Sequence, residues 1–171
     1  NLDIYKGEIL GVVGESGSGK STMGRSIIWL LEAAEGKELF EGRILIEMDY
    51  SDLKIARRDF QMIFQDPYAS LDPRMTVFDT LAEPLLHHKL ANKGNIEEQV
   101  NALMDDVGLE PAAIRKYPHE FSGGQRQRIA IARAISSKPK VIIADEPVSA
   151  LDVTIRAQIL ALLLELTQKH Q

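Results

Sequence analysis

Apolar positions recur along this chain in two rhythms. Short apolar runs of strand length lie at Glu8-Ile9-Leu10-Gly11-Val12-Val13, at 43–48, at Gln61-Met62-Ile63-Phe64 and at Val141-Ile142-Ile143-Ala144. Rich in β-branched residues and bounded by turn formers, they predict strands. The run at 141–144 has no polar member, the pattern of a central parallel strand. Helical spacing governs most of the rest: 20–31, 76–90 with a kink expected at Pro84, 96–107 with apolar residues at 96, 100, 103, 104 and 107, and 125–136 with Ile129, Ala132 and Ile135. A last helix is capped by Asp152, carries Ile155, Ile159, Leu162, Leu163 and Leu166 on one face, and is closed by Lys169-His170.

Strand, glycine-rich loop and helix follow one another at 8–31, the opening of an α/β unit. No strand pattern occurs between 65 and 137. The expected organisation is therefore an α/β core at 1–64 and 138–171, its sheet mainly parallel and flanked by helices, with an all-helical subdomain inserted at 65–137. The segment 31–50 fits no regular pattern well.

Composition narrows the classes. A chain of 171 residues, 44% hydrophobic and 26% charged, can bury a core and is not intrinsically disordered. It has no Cys, which excludes disulfide scaffolds, thiolate metal sites and cysteine nucleophiles. With 20 Lys+Arg against 25 Asp+Glu the net charge is −5, which argues against a nucleic-acid partner held by bulk charge. The longest apolar run is six residues, 159–164. A membrane span needs roughly 20, and no secretory leader pattern is seen.

The chemistry concentrates at four places. Gly14-Glu15-Ser16-Gly17-Ser18-Gly19-Lys20-Ser21 matches G-x-x-x-x-G-K-[ST]. Backbone N–H groups bent inward by glycine form a nest for phosphate oxygens, and the following helix adds its positive end. Lys20 would reach the β- and γ-phosphates and Ser21 would offer a hydroxyl to Mg²⁺; the strand before and the helix after are the context the motif requires. Asp145 and Glu146 end the apolar run, at the rim where open α/β sheets bind ligands. Successive carboxylates point to opposite sides of the chain, so one can hold Mg²⁺ through water while the other addresses a water molecule. Ser122-Gly123-Gly124-Gln125 reads as a capping box. Its two glycines weaken the first turn and suit a close approach of backbone to a ligand. Gln65 closes the strand at 61–64 at the entry to the helical insert, where its amide could ligate a metal or orient water. His87, His88 and His119 have no partners at metal spacing. Arg57-Arg58 and Arg126, Arg128 and Arg133 read as solvated faces, and Met62 and Met75 as packing.

Taken together, these elements resemble the nucleotide-binding domain of ABC ATPases. The loop 14–21 resembles Walker A and Val141–Glu146 resembles Walker B with its catalytic glutamate. Phe121-Ser122-Gly123-Gly124-Gln125 is similar to the family signature, with Phe in place of Leu. Ser149-Ala150-Leu151-Asp152 resembles the D-loop, and Gln65 falls at the Q-loop. Walker A alone would say only P-loop NTPase; the Ser-Gly-Gly-Gln element narrows it. The string from Phe64 to Val77 (FQDPYASLDPRMTV), with Tyr117-Pro118-His119-Glu120 before the signature, is similar to the ATPase subunits of bacterial oligopeptide and dipeptide importers. Nickel and glutathione importers share such strings.

The resemblance implies ATP and Mg²⁺ as cofactors and a head-to-tail pair of ATPase subunits, identical or paralogous. Gly14, Glu15, Ser16, Gly17, Ser18, Gly19, Lys20, Ser21 and Thr22 would hold ATP in one copy. Ser122, Gly123, Gly124 and Gln125 of the other would close on its γ-phosphate, with Asp152 crossing the interface. Ser21, Gln65 and Asp145 would serve the metal. Glu146 would be the general base, assisted by Lys20 and Gln65. Permease subunits in the membrane would be direct partners, an extracytoplasmic solute-binding protein an indirect one, and nucleic acid none. The subunit would lie peripherally on the cytoplasmic face of the bacterial inner membrane. The family's switch histidine and adenine-stacking aromatic would fall outside residues 1–171, so the sequence is expected to be an internal piece of a longer subunit, weak in turnover by itself. The competing readings are an ABC ATPase acting in DNA repair or on ribosomes, and a nucleotide-binding piece without turnover.

Overall fold

A computed structural model describes residues 2–31 and 35–169. The elements in chain order are α1 (Lys20–Ile27), β1 (Leu39–Phe40), β2 (Arg43–Ile44), α2 (Tyr50–Ala56), β3 (Phe60–Ile63), α3 (Pro67–Ser70), α4 (Val77–His87), α5 (Ile96–Asp106), α6 (Gly123–Ser136), β4 (Val141–Ala144) and α7 (Val153–Lys169), with short 3-10 turns at Leu45–Glu47, Pro111–Arg115 and Pro118–Glu120. The expected closure of α7 by His170 lies outside the described residues.

Between α3 and α6 no strand occurs among the described residues, in line with the pattern of 65–137. Two of the long helices there, α4 and α6, start where a side chain satisfies their free N–H groups, whereas Asn95 before α5 makes no such bond. Thr76 and Asp79 form a reciprocal capping box on α4, and Ser122 and Gln125 another on α6. Pro84 sits inside α4, which nevertheless continues to His87. Val77, Leu81 and Leu85 at four-residue spacing are buried, as are Val100, Met104 and Val107 along α5. These stripes meet α6, most of which is buried from Arg126 onward: Ile129, Ile131 and Ala132 are fully buried. Ile159, Leu162 and Leu166 of α7 close the same core.

The sheet departs from expectation. β3 and β4 pair in parallel, with Phe60 opposite Val141 and Ile63 opposite Ala144, while β1 and β2 form a separate antiparallel pair. Residues 8–13 carry no strand pairing, and Ile9, Leu10, Val12 and Val13 are exposed, Val13 at 96%. A strand exists only through a neighbour's N–H and C=O groups, and among the described residues none lies beside 8–13. For the same reason β4 is not a central strand: it is bonded along one edge only, and Ile142 is 40% exposed. The expected strand at 43–48 shortens to a two-residue pairing followed by a 3-10 turn, and the helix expected over 20–31 ends at Ile27, before Trp29 at φ 59°.

The arginines of α6 are not a fully solvated face: Arg126 is buried and Arg128 and Arg133 are half-buried. Arg126 is buried at 7% exposure; its Nε donates to the Pro118 carbonyl at 2.6 Å and its Nη2 to that of His119 at 3.3 Å. Arg128 donates to the Val107 carbonyl and Arg133 to the Ser70 carbonyl, each at 2.6 Å. Burial pushes the Arg133 pKa below its ordinary value, opposed in part by Glu83. Where burial takes water from a guanidinium, fully at Arg126 and partly at Arg128 and Arg133, backbone carbonyls replace it.

Candidate functional site

The parallel register of β3 and β4 ends both strands at one level. The Asp145 N–H donates to the Ile63 carbonyl at 2.9 Å, which continues the ladder by one residue. Gln65, Asp145 and Glu146 therefore leave the sheet at the same rim.

The glycine loop approaches this rim through α1. Gly24 lies so close to β4 that a Cβ there would sit 3.0 Å from Ile143 Cγ2. That approach brings the first turn of α1 to the strand end, where Ser21 Oγ donates to Asp145 Oδ1 at 2.6 Å. Asp145 is 8% exposed, and Arg25, one turn after Ser21, holds its other oxygen at 3.7 Å. Arg25 was not singled out from the sequence, although its spacing of four from Ser21 puts both on one helix face.

The loop itself is set by glycine where L residues are strained: Gly17 and Gly19 take φ 79° and 92°. Gly14 is not left-handed, but a Cβ on it would meet Ser18 Oγ at 2.7 Å. Ser18 N–H closes the turn on the Glu15 carbonyl at 3.2 Å. Lys20 Nζ crosses the loop to the carbonyls of Gly14 and Glu15, both at 2.8 Å. Ser16 is exposed in the turn, and Thr22 lies in the first turn of α1 beside Ser21.

Glu146 stands on the exposed side of the strand end, opposite the buried Asp145. Its backbone is left-handed, at φ 44°. A non-glycine residue there stores strain of order 1–3 kcal/mol. Gln65 Nε2 donates to Glu146 Oε2 at 3.0 Å and to Ser149 Oγ at 3.3 Å, and Ser149 Oγ in turn donates to the Glu146 carbonyl at 3.1 Å. Two residues 81 apart in sequence are thus joined directly. Ser149 is a participant that sequence reasoning assigned only to a loop string.

The segment 122–125 is placed differently. Its side-chain bonds stay within the capping box, and among the described residues no hydrogen bond links it to 14–22. Its neighbours are the start of α7: a Cβ on Gly123 would rest 3.7 Å from Leu151 Cδ2, and one on Gly124 would collide with Ile155 Cγ2 at 2.7 Å. Gly124 therefore has a packing reason within the chain. Asp152 directly precedes α7 and accepts the Arg156 N–H at its carbonyl, 2.9 Å away.

The donor set suits a hard cation. A hydroxyl 2.6 Å from a buried carboxylate offers oxygen ligands and one negative charge, the sparse protein contribution typical of Mg²⁺ held mostly by water and phosphate. Among the described residues no group of three or more His, Asp or Glu side chains could form a full protein cage.

The sequence profile described as ABC transporter matches residues 1–149. The chain belongs to the ABC transporter family. An oligopeptide transport ATP-binding protein, OppF, of Bacillus subtilis (strain 168) is 56% identical over 171 residues, which covers 99% of this chain and 56% of the relative. The glutathione import ATP-binding protein GsiA of Pectobacterium atrosepticum is 53% identical over 169 residues, with 99% of this chain and 27% of the relative covered. The chain thus spans about half of OppF and about a quarter of GsiA. Among solved structures, the dimeric post-hydrolysis state of the ATP-binding cassette MJ0796 bound to ADP and Pi superposes with a TM-score of 0.85 at 32% identity, covering 99% of this chain and 73% of that one. The cbiO1 subunit from Clostridium perfringens, part of the ABC transporter complex cbiONQ, gives 0.87 at 28% identity, with 99% and 66% covered. The fold is that of an ABC cassette, a P-loop NTPase with parallel strands and packed helices. No helix of the described residues is long and apolar enough to cross a membrane.

Proposed function

We propose that this chain is the catalytic cassette of an ATP-hydrolysing subunit that powers an ABC importer, with peptides as the transported class. The observation that carries it is the convergence of three distant segments on one rim: Ser21 on Asp145 at 2.6 Å and Gln65 on Glu146 at 3.0 Å. The peptide assignment rests on the oligopeptide and glutathione import proteins at 53–56% identity. The division of labour follows 1–64 with 138–171 as the ATP-binding core and 65–137 as the helical subdomain.

In this reading the loop 14–19 and Lys20 bind the phosphates of ATP, with Thr22 beside them. Ser21, Asp145 and Gln65 are the residues that would hold the metal, which would supply positive charge beside the phosphates. Mg²⁺, when bound, neutralises charge on the phosphate oxygens. Glu146 accepts the proton of the attacking water, and its exposed, left-handed position keeps it off the metal side of the strand end. Its amide partner Gln65 orients that water. Fixed donors aimed at the γ-phosphate supply most of the barrier lowering. Those donors include Ser122, Gly123, Gly124 and Gln125 of a second subunit, with Asp152 at the shared interface. Permease subunits hold the pair at the cytoplasmic face of the bacterial inner membrane, and a solute-binding protein acts through them.

The test uses the whole subunit assembled with its permease in vesicles. Glu146→Gln should abolish hydrolysis, by about 10²–10⁴-fold for loss of a general base, while ATP binding persists. A wild-type subunit that hydrolyses ATP but never associates with permease, and instead shifts DNA in a salt-dependent way, would reject import. ATP binding with no turnover in any assembly would reject catalysis.

A further inference from the structure

Arg126 is the buried cation of this fold, and among the described residues it has no carboxylate partner. It is 7% exposed, and its Nη1 is buried without any hydrogen-bond acceptor. Two of its other N–H groups hold the carbonyls of Pro118 and His119, the backbone leading into the helix start at Ser122. In place of a counter-ion, the guanidinium carbon Cζ lies over the Tyr68 ring, 3.8 Å from its centroid. Seven residues further along α6, Arg133 grips the Ser70 carbonyl at 2.6 Å. The short helix 67–70 is thus joined to α6 at two points, two turns apart. It begins two residues after Gln65, whose amide rests on Glu146.

The choice of groups is informative. A buried cation without a carboxylate is costly, and an apolar side chain would pack the same space at less cost. An ion pair would fix one geometry. A ring face attracts the guanidinium over a broad area and lets the two slide while staying in contact. Tyr68 is itself 64% exposed, so one face meets Arg126 while the remainder of the ring is open.

We infer that Tyr68 and Arg126 are positioning residues that link Gln65 to the start of α6, so that movement at Gln65 resets the loop 118–121 and with it Ser122 and Gly123. The inference rests on the importer reading for the role of Gln65 and Ser122. The link itself rests only on the contacts of Tyr68 and Arg126.

The test uses the full-length subunit assembled with its permease. Tyr68→Leu keeps bulk and removes the ring; Tyr68→Phe keeps the ring face. Tyr68→Leu should lower kcat by about fivefold with KM for ATP unchanged, because the 14–21 loop is untouched, and Tyr68→Phe should restore kcat. A second readout needs no turnover: in the free full-length subunit, Tyr68→Leu should speed hydrogen exchange of the 119–124 amides, and Tyr68→Phe should not. Wild-type kcat in Tyr68→Leu overturns the inference even if exchange changes, since the contact would then be structural only. Equal impairment in Tyr68→Phe overturns it as well. If the wild-type assembly shows no ATP turnover, the importer reading fails. The exchange comparison then decides the link alone, supporting it if only the leucine variant loosens 119–124 and overturning it otherwise.

Discussion

Gly124 separates two explanations for the paired glycines at the start of α6. A Cβ at Gly124 would lie 2.7 Å from Ile155 Cγ2, well inside contact distance. That methyl cannot swing away cheaply, because a β-branched side chain in a helix has one strongly preferred χ1. Forcing an extra methyl into such a contact costs about 1–3 kcal/mol. Opposing it, replacing glycine by alanine in a helix gains up to about 1 kcal/mol, less in the first turn. The net expectation for Gly124→Ala is a loss of about 1 kcal/mol, or roughly 2–4 °C in Tm for a chain of this size. Thermal unfolding of a double-mutant cycle checks the cause. In an Ile155→Ala background the clash is gone, so Gly124→Ala should raise Tm. Gly123 is the control: its added Cβ meets Leu151 Cδ2 at an ordinary 3.7 Å, so Gly123→Ala should leave Tm unchanged or higher. If hydrolysis by the assembled subunit nevertheless falls with Gly123→Ala, that glycine serves the approach of a ligand. Equal destabilisation by Gly124→Ala with and without the Ile155→Ala substitution would refute the packing argument, since independent sites add within about 0.5 kcal/mol.

Three further outcomes follow from the same contacts. Leu81 is fully buried at the meeting of α4 with α6, so Leu81→Ala should cost about 2–5 kcal/mol by denaturant titration without change in the slope. Glu146 at φ 44° predicts that Glu146→Gly is more stable than Glu146→Ala by about 1 kcal/mol, although both lack the carboxylate; equal melting temperatures would contradict the strain. Burial lowers the His88 pKa below 6.5, with His87 and Arg58 adding to the shift. The unfolded chain then binds more protons just below that value, so stability falls as pH drops from about 6.5 toward the folded pKa. His88→Gln should flatten that part of the Tm profile.

What could be read from the sequence divides along physical lines. The glycine-set turn at 14–19 and the strand-end position of Asp145 and Glu146 are legible because both are written in adjacent residues. A strand at 8–13 is not decided locally, because pairing belongs to a neighbour, and Val13 at 96% exposure has none among the described residues. The burial of the α6 arginines has a sequence signal of its own. Ile129-Ala130-Ile131-Ala132 leaves no polar face around which the helix could meet water, so cations at 126, 128 and 133 had to find buried acceptors.

The backbone of Glu146 runs against its local sequence preference. Glu146 precedes Pro147, and a residue before proline is driven toward extended backbone by the ring. The structure nevertheless holds Glu146 left-handed, with Gln65 on its carboxylate and Ser149 on its carbonyl. Local preference is overruled at the one carboxylate assigned to proton transfer. The rule against left-handed backbone gives way where two polar groups drawn from separate segments over-determine the conformation. Loosening Gln65 should thus release strain at Glu146, so that in the proposed mechanism the amide that would orient the water would also set the angle of the base.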